Sequence, residues 1–143
     1  ENIGKVNVIP QDLGRVILNL ITNAFYAVSE KAKMTSRTPS PLTGGADYEP
    51  TISIQTKLLI PLSGGRGLEG TMVTISVSDN GPGIPKSALD KIFQPFFTTK
   101  PTGQGTGLGL SLSYDIVKAH GGELKVETKE GEGTVFTIHL PIS

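Results

Sequence analysis

The chain has 143 residues and carries 13 basic and 13 acidic side chains, so its formal net charge is zero. This length fits one compact domain that buries its own core, and the balanced charge argues against nucleic acid as a partner. The absence of cysteine excludes disulfides, thiolate zinc sites and thiol catalysis.

Neither end of the chain shows a targeting or membrane segment. No apolar run approaches the ~20 residues that cross a bilayer, and no signal-peptide pattern opens the sequence. We therefore expect a cytoplasmic domain without direct membrane contact. Because the first residue is Glu1 rather than methionine, we also expect residues 1–143 to be a single domain cut from a longer chain.

The first third of the chain is predicted to form a strand, a helix and a loop. Val6 and Val8 alternate before Pro10, which predicts a short edge strand. Apolar residues then recur at helical spacing over about 11–33, and the inward face is Leu13, Ile17, Leu20, Ala24 and Ala27. The proline- and glycine-containing stretch over 34–50 predicts a long mobile loop, to which we assign no role.

The remainder predicts two hairpins around a second long helix. Alternating segments at 51–60 and 71–78 form the first hairpin, with a turn over 61–70. A short helical turn over 86–93 and a helix over about 108–120 follow, and the strands 122–128 and 133–141 form the last hairpin. The residues predicted to face inward are Ile52, Ile54, Val73, Ile75, Val77, Phe136, Ile138 and Leu140.

About five strands and two long helices predict an α+β fold. Because two helices can cover only one face of a sheet, we expect a two-layer α/β sandwich with a mixed, mostly antiparallel sheet.

Two asparagines in the first helix need an explanation beyond helix formation. Asn19 and Asn23 are four residues apart, so they share one face of the helix. Asparagine costs up to ~0.7 kcal/mol relative to alanine within a helix. They form either a solvated polar face or a site where an amide oxygen meets a hard cation such as magnesium.

A second candidate site follows the strand over 71–78. In the sequence DNGPGIP, Asp79 comes directly after the apolar alternation, and Gly81 and Gly83 let the chain turn. A carboxylate here can accept a hydrogen bond from an exocyclic amine, and Ile84 can cover a ring. An ordinary Asp-Asn-Gly turn is the alternative.

The segment FQPFFTTKPTGQGTGLGL places Lys100 next to a glycine-rich stretch. It is not a P-loop, since Leu108 follows Gly107, and it is not the dinucleotide fingerprint, since Leu110 stands where the last glycine belongs. Free backbone amides leading into a helix N-terminus still make an anion site. We expect this stretch, from about Thr99 to Gly107, to be loosely ordered without ligand.

Five sequence motifs, called boxes below, occur along the chain in the order NLITNA, DNGPGIP, FQPFFTTK, GTGLGLS and GEGTVFTIHLP. Together they resemble the ATP-binding catalytic domain of sensor histidine kinases. That domain belongs to the ATPase group of gyrase, heat-shock chaperones and mismatch-repair proteins. The resemblance implies the Bergerat-type ATP-binding fold. It also implies a site for ATP and Mg²⁺.

The resemblance assigns roles residue by residue. It implies that Asn23 binds Mg²⁺, that Asn19 and Lys100 are catalytic residues at the phosphates, and that Asp79 binds the adenine amine. The glycine-rich stretch from about Thr99 to Gly107 would form a lid over the phosphates, and Phe93, Phe96 and Phe97 would anchor it. The other implied ATP-binding residues are Tyr26, Gly81, Gly83, Ile84, Phe97, Thr99, Gly105, Thr106, Gly107, Leu108, Gly109 and Thr134.

Two positions refine what the resemblance implies. ATP-hydrolysing relatives carry a glutamate as general base where this chain has Asn19, and an amide cannot accept a proton from water, so phosphoryl transfer is favoured over hydrolysis. Many such kinases have a basic residue where this chain has Tyr26, whose hydroxyl could donate to phosphate without adding charge.

The implied activity is transfer of the ATP γ-phosphoryl group to a histidine on a separate dimerisation domain, in two-component signal transduction. The implied partners are that domain, a response-regulator receiver domain and, in the full-length protein, a second copy. Neither histidine of this chain fits the acceptor: His120 is expected to cap helix carbonyls, and His139 to be exposed on a strand. An anti-sigma-factor-type serine kinase and a non-catalytic ATP-sensing module remain as alternatives.

Overall fold

A computed structural model describes residues 6–36, 48–61, 70–101, 103 and 105–142. Most of the loop predicted over 34–50 and of the turn predicted over 61–70 lies outside these residues. The elements in chain order are α1 (Pro10–Ser36), β1 (Ile52–Leu59), β2 (Met72–Asp79), α2 (Lys86–Leu89), α3 (Gly109–Ala119), β3 (Glu123–Lys129) and β4 (Gly133–Pro141).

Helix α1 begins and ends where its sequence favours it. Pro10 occupies the first helical position, where the missing N–H costs nothing, and Asp12 in the first turn and Lys33 in the last turn complement the helix dipole. The buried stripe recurs every four residues and consists of Val16, Leu20, Ala24 and Val28. The helix runs to Ser36, three residues beyond the predicted end.

The described strands form one antiparallel sheet in the order β1-β2-β4-β3. Val77 of β2 lies opposite Phe136 of β4, and Ile75 lies opposite Ile138. These side chains point to the same face, where α1 and α3 pack against them. The two-layer sandwich with helices on one face is therefore confirmed.

The residues before α1 do not form the predicted edge strand. Residues 6–9 have no strand pairing, although Val6 and Val8 pack against the core. The backbone N–H of Ile9 donates instead to Nε2 of His120 at the end of α3, at 3.0 Å. The described sheet consequently has four strands rather than about five.

The prediction for Ile54 was wrong. It lies opposite Val77 and so on the helix-covered face, yet it is 54% exposed. Strand β1 is at the edge of the described sheet, and α1 reaches it only at its margin. Among the described residues, no helix combines the length and apolarity needed to cross a membrane.

Candidate functional site

A cleft of about 460 Å³ opens between α1, the end of β2 and the segment that leads into α3. This volume fits a small-molecule ligand. The cleft is lined by fourteen of the sixteen predicted site residues: Asn19, Asn23, Tyr26, Asp79, Gly83, Ile84, Phe97, Thr99, Lys100, Gly105, Thr106, Gly107, Gly109 and Thr134.

The other two predicted site residues, Gly81 and Leu108, border the cleft without lining it. The backbone N–H of Gly81 donates to Oδ1 of Asp79 at 2.8 Å. Leu108 is the N-cap of α3, and its backbone N–H donates to the Thr106 hydroxyl at 3.3 Å. Both therefore contact residues that line the cleft through their backbone N–H groups.

The carboxyl group of Asp79 lies at one end of the cleft, where β2 ends beside Thr134 of β4. Burial raises the pKa of this carboxyl group, and this effect outweighs the lowering by the Gly81 and Thr134 backbone N–H groups and by the Lys31 ammonium. Apolar side chains line the same end, among them Ile84, Ala88 and Ile92. A hydrogen-bond acceptor in an apolar slot is suited to a flat ring that bears an amine.

Lys100 lines the same cleft beside Asn23 and Tyr26 of α1. Its ammonium donates to Oδ1 of Asn23 at 3.2 Å and lies 4.8 Å from the centre of the Tyr26 ring. The Asn23 side-chain oxygen therefore accepts a hydrogen bond from an ammonium in this structure. The Tyr26 ring can stabilise that ammonium through a cation–π contact.

The side chain of Asn19 joins α1 to α3. Its Nδ2 donates to the Ser113 hydroxyl at 3.1 Å, and that hydroxyl donates to the Gly109 carbonyl at 2.8 Å. A Cβ on Gly109 would overlap Oδ1 of Asn19, so glycine lets the two helices approach. No carboxylate stands at position 19 to act as a base for water.

The first turn of α3 faces the cleft at Gly109 and Leu110. The N-cap residue Leu108 offers no side-chain cap to this 11-residue helix. The first backbone N–H groups of α3 thus lack intrahelical partners and are available to an anion.

The segment FQPFFTTK contacts the glycine-rich stretch through the backbone of Phe96. Gly107 has a φ of 70°, and a Cβ there would overlap the backbone of Phe96. Phe93 and Phe97 are partly buried and pack against the core. The prediction of an anchored Phe96 ring was wrong, because its side chain is 75% exposed; its backbone has a φ of 66°.

Neither histidine lies in the cleft. Nδ1 of His120 is 2.7 Å from the Ile116 carbonyl, so His120 caps the end of α3 as predicted. His139 lies on β4 opposite Thr74 and is half-buried rather than exposed. Among the described residues, no group of three or more histidine, cysteine, aspartate or glutamate side chains could hold a metal.

Sequence reasoning missed the residues that support the site from behind. Ser113 holds Asn19, and Lys31 contacts the loop that follows Asp79. A signal was present for each: Ser113 is a polar residue on the buried face of α3, and Lys31 follows Asn23 by two helical turns.

Comparison with known proteins identifies the family to which the chain belongs. The family described as histidine kinase-, DNA gyrase B- and HSP90-like ATPase matches residues 9–143. The chain belongs to this family, and membership implies ATP binding.

Its relatives narrow the class to sensor kinases. The chain is 36% identical over 143 residues to the sensor histidine kinase ZraS of Salmonella typhimurium and 40% identical over 136 residues to the sensor kinase CckA of Brucella abortus. The alignments cover 99% and 91% of this chain but 24% and 13% of those proteins. It is thus an ATPase domain of the kind found in two-component sensor kinases, and it spans a minor part of their length.

A solved structure supports the fold. The nucleotide-free catalytic domain of histidine kinase ThkA matches with a TM-score of 0.66 at 30% identity, and the match covers 96% of this chain and 71% of that one. The resemblance inferred from the five boxes is confirmed.

Proposed function

We propose that residues 1–143 form the ATP-binding catalytic domain of a longer kinase and transfer the γ-phosphoryl group of ATP to a histidine on a separate dimerisation domain. The contact of Lys100 with Asn23 carries this proposal, because it puts a cation beside a hard amide oxygen in the same cleft as the Asp79 carboxyl group.

The cleft has one end for each part of ATP. Asp79 would accept a hydrogen bond from the adenine amine, between apolar walls that include Ile84. The amides of the α3 N-terminus and the Lys100 ammonium would bind the phosphates. A partly buried carboxylate among apolar side chains and an ammonium beside a helix N-terminus, in one cleft, match the polarity of the nucleotide.

The residues present fit a magnesium ion. The Asn23 amide supplies a hard oxygen ligand in the cleft, and Mg²⁺ prefers a few protein oxygens supplemented by water and phosphate. Asn23 would hold the ion, which when bound would neutralise phosphate charge.

The side chains around the phosphates suit transfer better than hydrolysis. In the transfer, the bond between Pγ and the β,γ-bridging oxygen breaks, a P–N bond to the imidazole forms, ADP leaves and the imidazole loses its proton. This chain would contribute position and positive charge, which dominate phosphoryl transfer. The Asn19 amide, already bound to Ser113, cannot act as a base for water.

The partners follow from this chemistry. The acceptor would be a histidine of the same protein's dimerisation domain, in a homodimer of the full-length chain, and the phosphohistidine would then serve a response-regulator receiver domain. Neither His120 nor His139 is near the cleft, which supports an acceptor outside residues 1–143.

The test mixes the domain with γ-labelled ATP, Mg²⁺ and a histidine-bearing dimerisation domain of the same protein. We expect label on that domain as an acid-labile, base-stable phosphate, and none on the catalytic domain incubated alone. An acid-stable phosphate on a partner protein would point to a serine kinase. Binding of ATP without transfer to any partner would point to an ATP-sensing module.

A further inference from the structure

Lys31 joins α1 to two loops beside the cleft. Its ammonium donates to the backbone carbonyls of Asn80 at 3.1 Å, Gly81 at 3.4 Å and Gly131 at 2.7 Å. Asn80 and Gly81 directly follow Asp79, and Gly131 lies in the turn between β3 and β4. One side chain therefore fixes the positions of both loops relative to α1.

The environment of this ammonium is specific. It lies 4.9 Å from the centre of the Tyr48 ring, which can stabilise it through a cation–π interaction. Within the described part of the chain, Lys31 forms no ion pair with a carboxylate, unlike the exposed pair of Lys33 with Glu30. An ammonium whose three protons meet three carbonyls is oriented by geometry rather than by a single opposite charge.

The loop after Asp79 is also held from its other side. The Asn80 side chain accepts from the Thr51 backbone N–H at 2.8 Å and donates to the Glu49 carbonyl at 2.8 Å. The Tyr48 hydroxyl lies 3.1 Å from the Asn80 side-chain oxygen. With Lys31 on the main chain and these contacts on the side chain, residue 80 has little freedom to move.

This constraint bears on Asp79 because the peptide group between Asn80 and Gly81 makes contacts on both sides. Its carbonyl, that of Asn80, accepts from Lys31 at 3.1 Å, and its N–H, that of Gly81, donates to Oδ1 of Asp79 at 2.8 Å. A shift of this peptide would rotate the carboxylate and change which oxygen faces the cleft. We propose that Lys31 is a positioning residue that sets the orientation of the Asp79 carboxylate and thereby the recognition of the adenine amine. The inference rests on the proposed function, since it assumes that Asp79 binds adenine.

The charge of Lys31 supports the same role. Its ammonium lowers the pKa of the Asp79 carboxyl group against the larger raising effect of burial, and so favours the ionised acceptor. The titratable side chains around Asp79 come from α1, the segment before β1, β3 and the turn after β3; they are Glu30, Lys31, Tyr48, Glu127, Lys129 and Glu132.

The test compares two ligands on three variants. Calorimetric titration with Mg·ATP reports both ends of the cleft, whereas titration with magnesium tripolyphosphate reports the phosphate end alone. The variants are Lys31→Met, Lys31→Arg and the control Lys118→Met. The control removes another helical lysine that lies over a tyrosine ring, at 5.5 Å from Tyr114, away from the Asp79 loop.

We expect Lys31→Met to weaken ATP binding roughly tenfold, equivalent to about 1.4 kcal/mol, and to leave tripolyphosphate binding unchanged. The pH at which ATP binding is lost on acidification should rise, because loss of the ammonium raises the Asp79 pKa further. Lys31→Arg should restore most of the ATP affinity, since guanidinium can also donate to several carbonyls. Lys118→Met should behave as wild type.

Unchanged ATP affinity and an unchanged pH midpoint in Lys31→Met would overturn the inference. Equal loss of both ligands would also overturn it, since that pattern marks general damage to the fold. A wild-type domain that binds tripolyphosphate and ATP equally well would instead overturn the proposed adenine site, and the inference with it.

Discussion

The ammonium of Lys100 lies 3.2 Å from Oδ1 of Asn23, so the oxygen expected to bind magnesium already accepts a hydrogen bond from a cation. Replacement of Asn23 by alanine should abolish the part of ATP affinity that depends on magnesium. The measurement is calorimetric titration with ATP in Mg²⁺ and in EDTA. Thr22→Ala, an exposed neighbour on α1, is the control; a retained magnesium effect in Asn23→Ala would remove this residue from the site.

Tyr26 should act through its ring. Because the Lys100 ammonium lies 4.8 Å from the ring centre, Tyr26→Phe keeps the cation–π contact and Tyr26→Leu removes it. A cation–π contact contributes about 0.5 to 2 kcal/mol, so we expect Tyr26→Leu to lose ATP affinity severalfold and Tyr26→Phe to stay near wild type. Equal losses in both variants would assign the role to the hydroxyl instead.

The ionised Asp79 carboxylate should lower the free energy of unfolding of the ligand-free domain. Burial raises its pKa in the folded domain, so the folded state binds the proton more tightly than the unfolded chain does. The cost appears as pH rises from the ordinary aspartate pKa through the raised one and is complete above it. Asp79→Asn should therefore melt at a higher temperature than wild type at neutral pH, by a margin that shrinks on acidification.

The same substitution should impair function, because the amide would present a donor or a weaker acceptor to the adenine amine. Thermal melts of both proteins across pH, with and without ATP, measure the two effects together. A lower melting temperature for Asp79→Asn at every pH would contradict the burial argument.

Two glycines in helices should respond oppositely to alanine. Gly14 of α1 has open space where an alanine Cβ would lie, so Gly14→Ala should stabilise the domain by about 0.5 to 1 kcal/mol. A Cβ on Gly109 of α3 would overlap Oδ1 of Asn19, so Gly109→Ala should destabilise it by about 1 to 3 kcal/mol. Denaturant unfolding measures both; stabilisation by Gly109→Ala would show that the α1–α3 contact is loose.

The sequence predicted the elements best where periodicity and end signals agreed. Helix α3 ends at Ala119 and is followed by Gly121 with a φ of 73°, as the pattern predicted. Inward-facing Phe136 and Ile138 are buried as expected. Ile54 failed because alternation identifies a face of a strand but not whether another layer covers that face.

The candidate site was predictable where motifs carried it and not where tertiary contacts did. Asn23 and Asp79 belong to recognisable boxes, whereas Ser113 and Lys31 gain their roles from partners that are 94 and 49 residues distant, respectively. Phe96 shows the opposite failure. Its motif predicted an anchored ring, but the side chain is 75% exposed.

The most direct test maps Mg·ATP onto the domain by amide chemical shifts in a ¹H–¹⁵N spectrum. We expect the largest changes at the N–H groups of Gly81 and Thr134 beside Asp79, and of Gly107 and Gly109 at the start of α3. Amides on the outer face of the sheet, such as those of Lys125 and Thr137, should not move. Changes confined to that outer face, or none at saturating Mg·ATP, would contradict the placement of the nucleotide in this cleft.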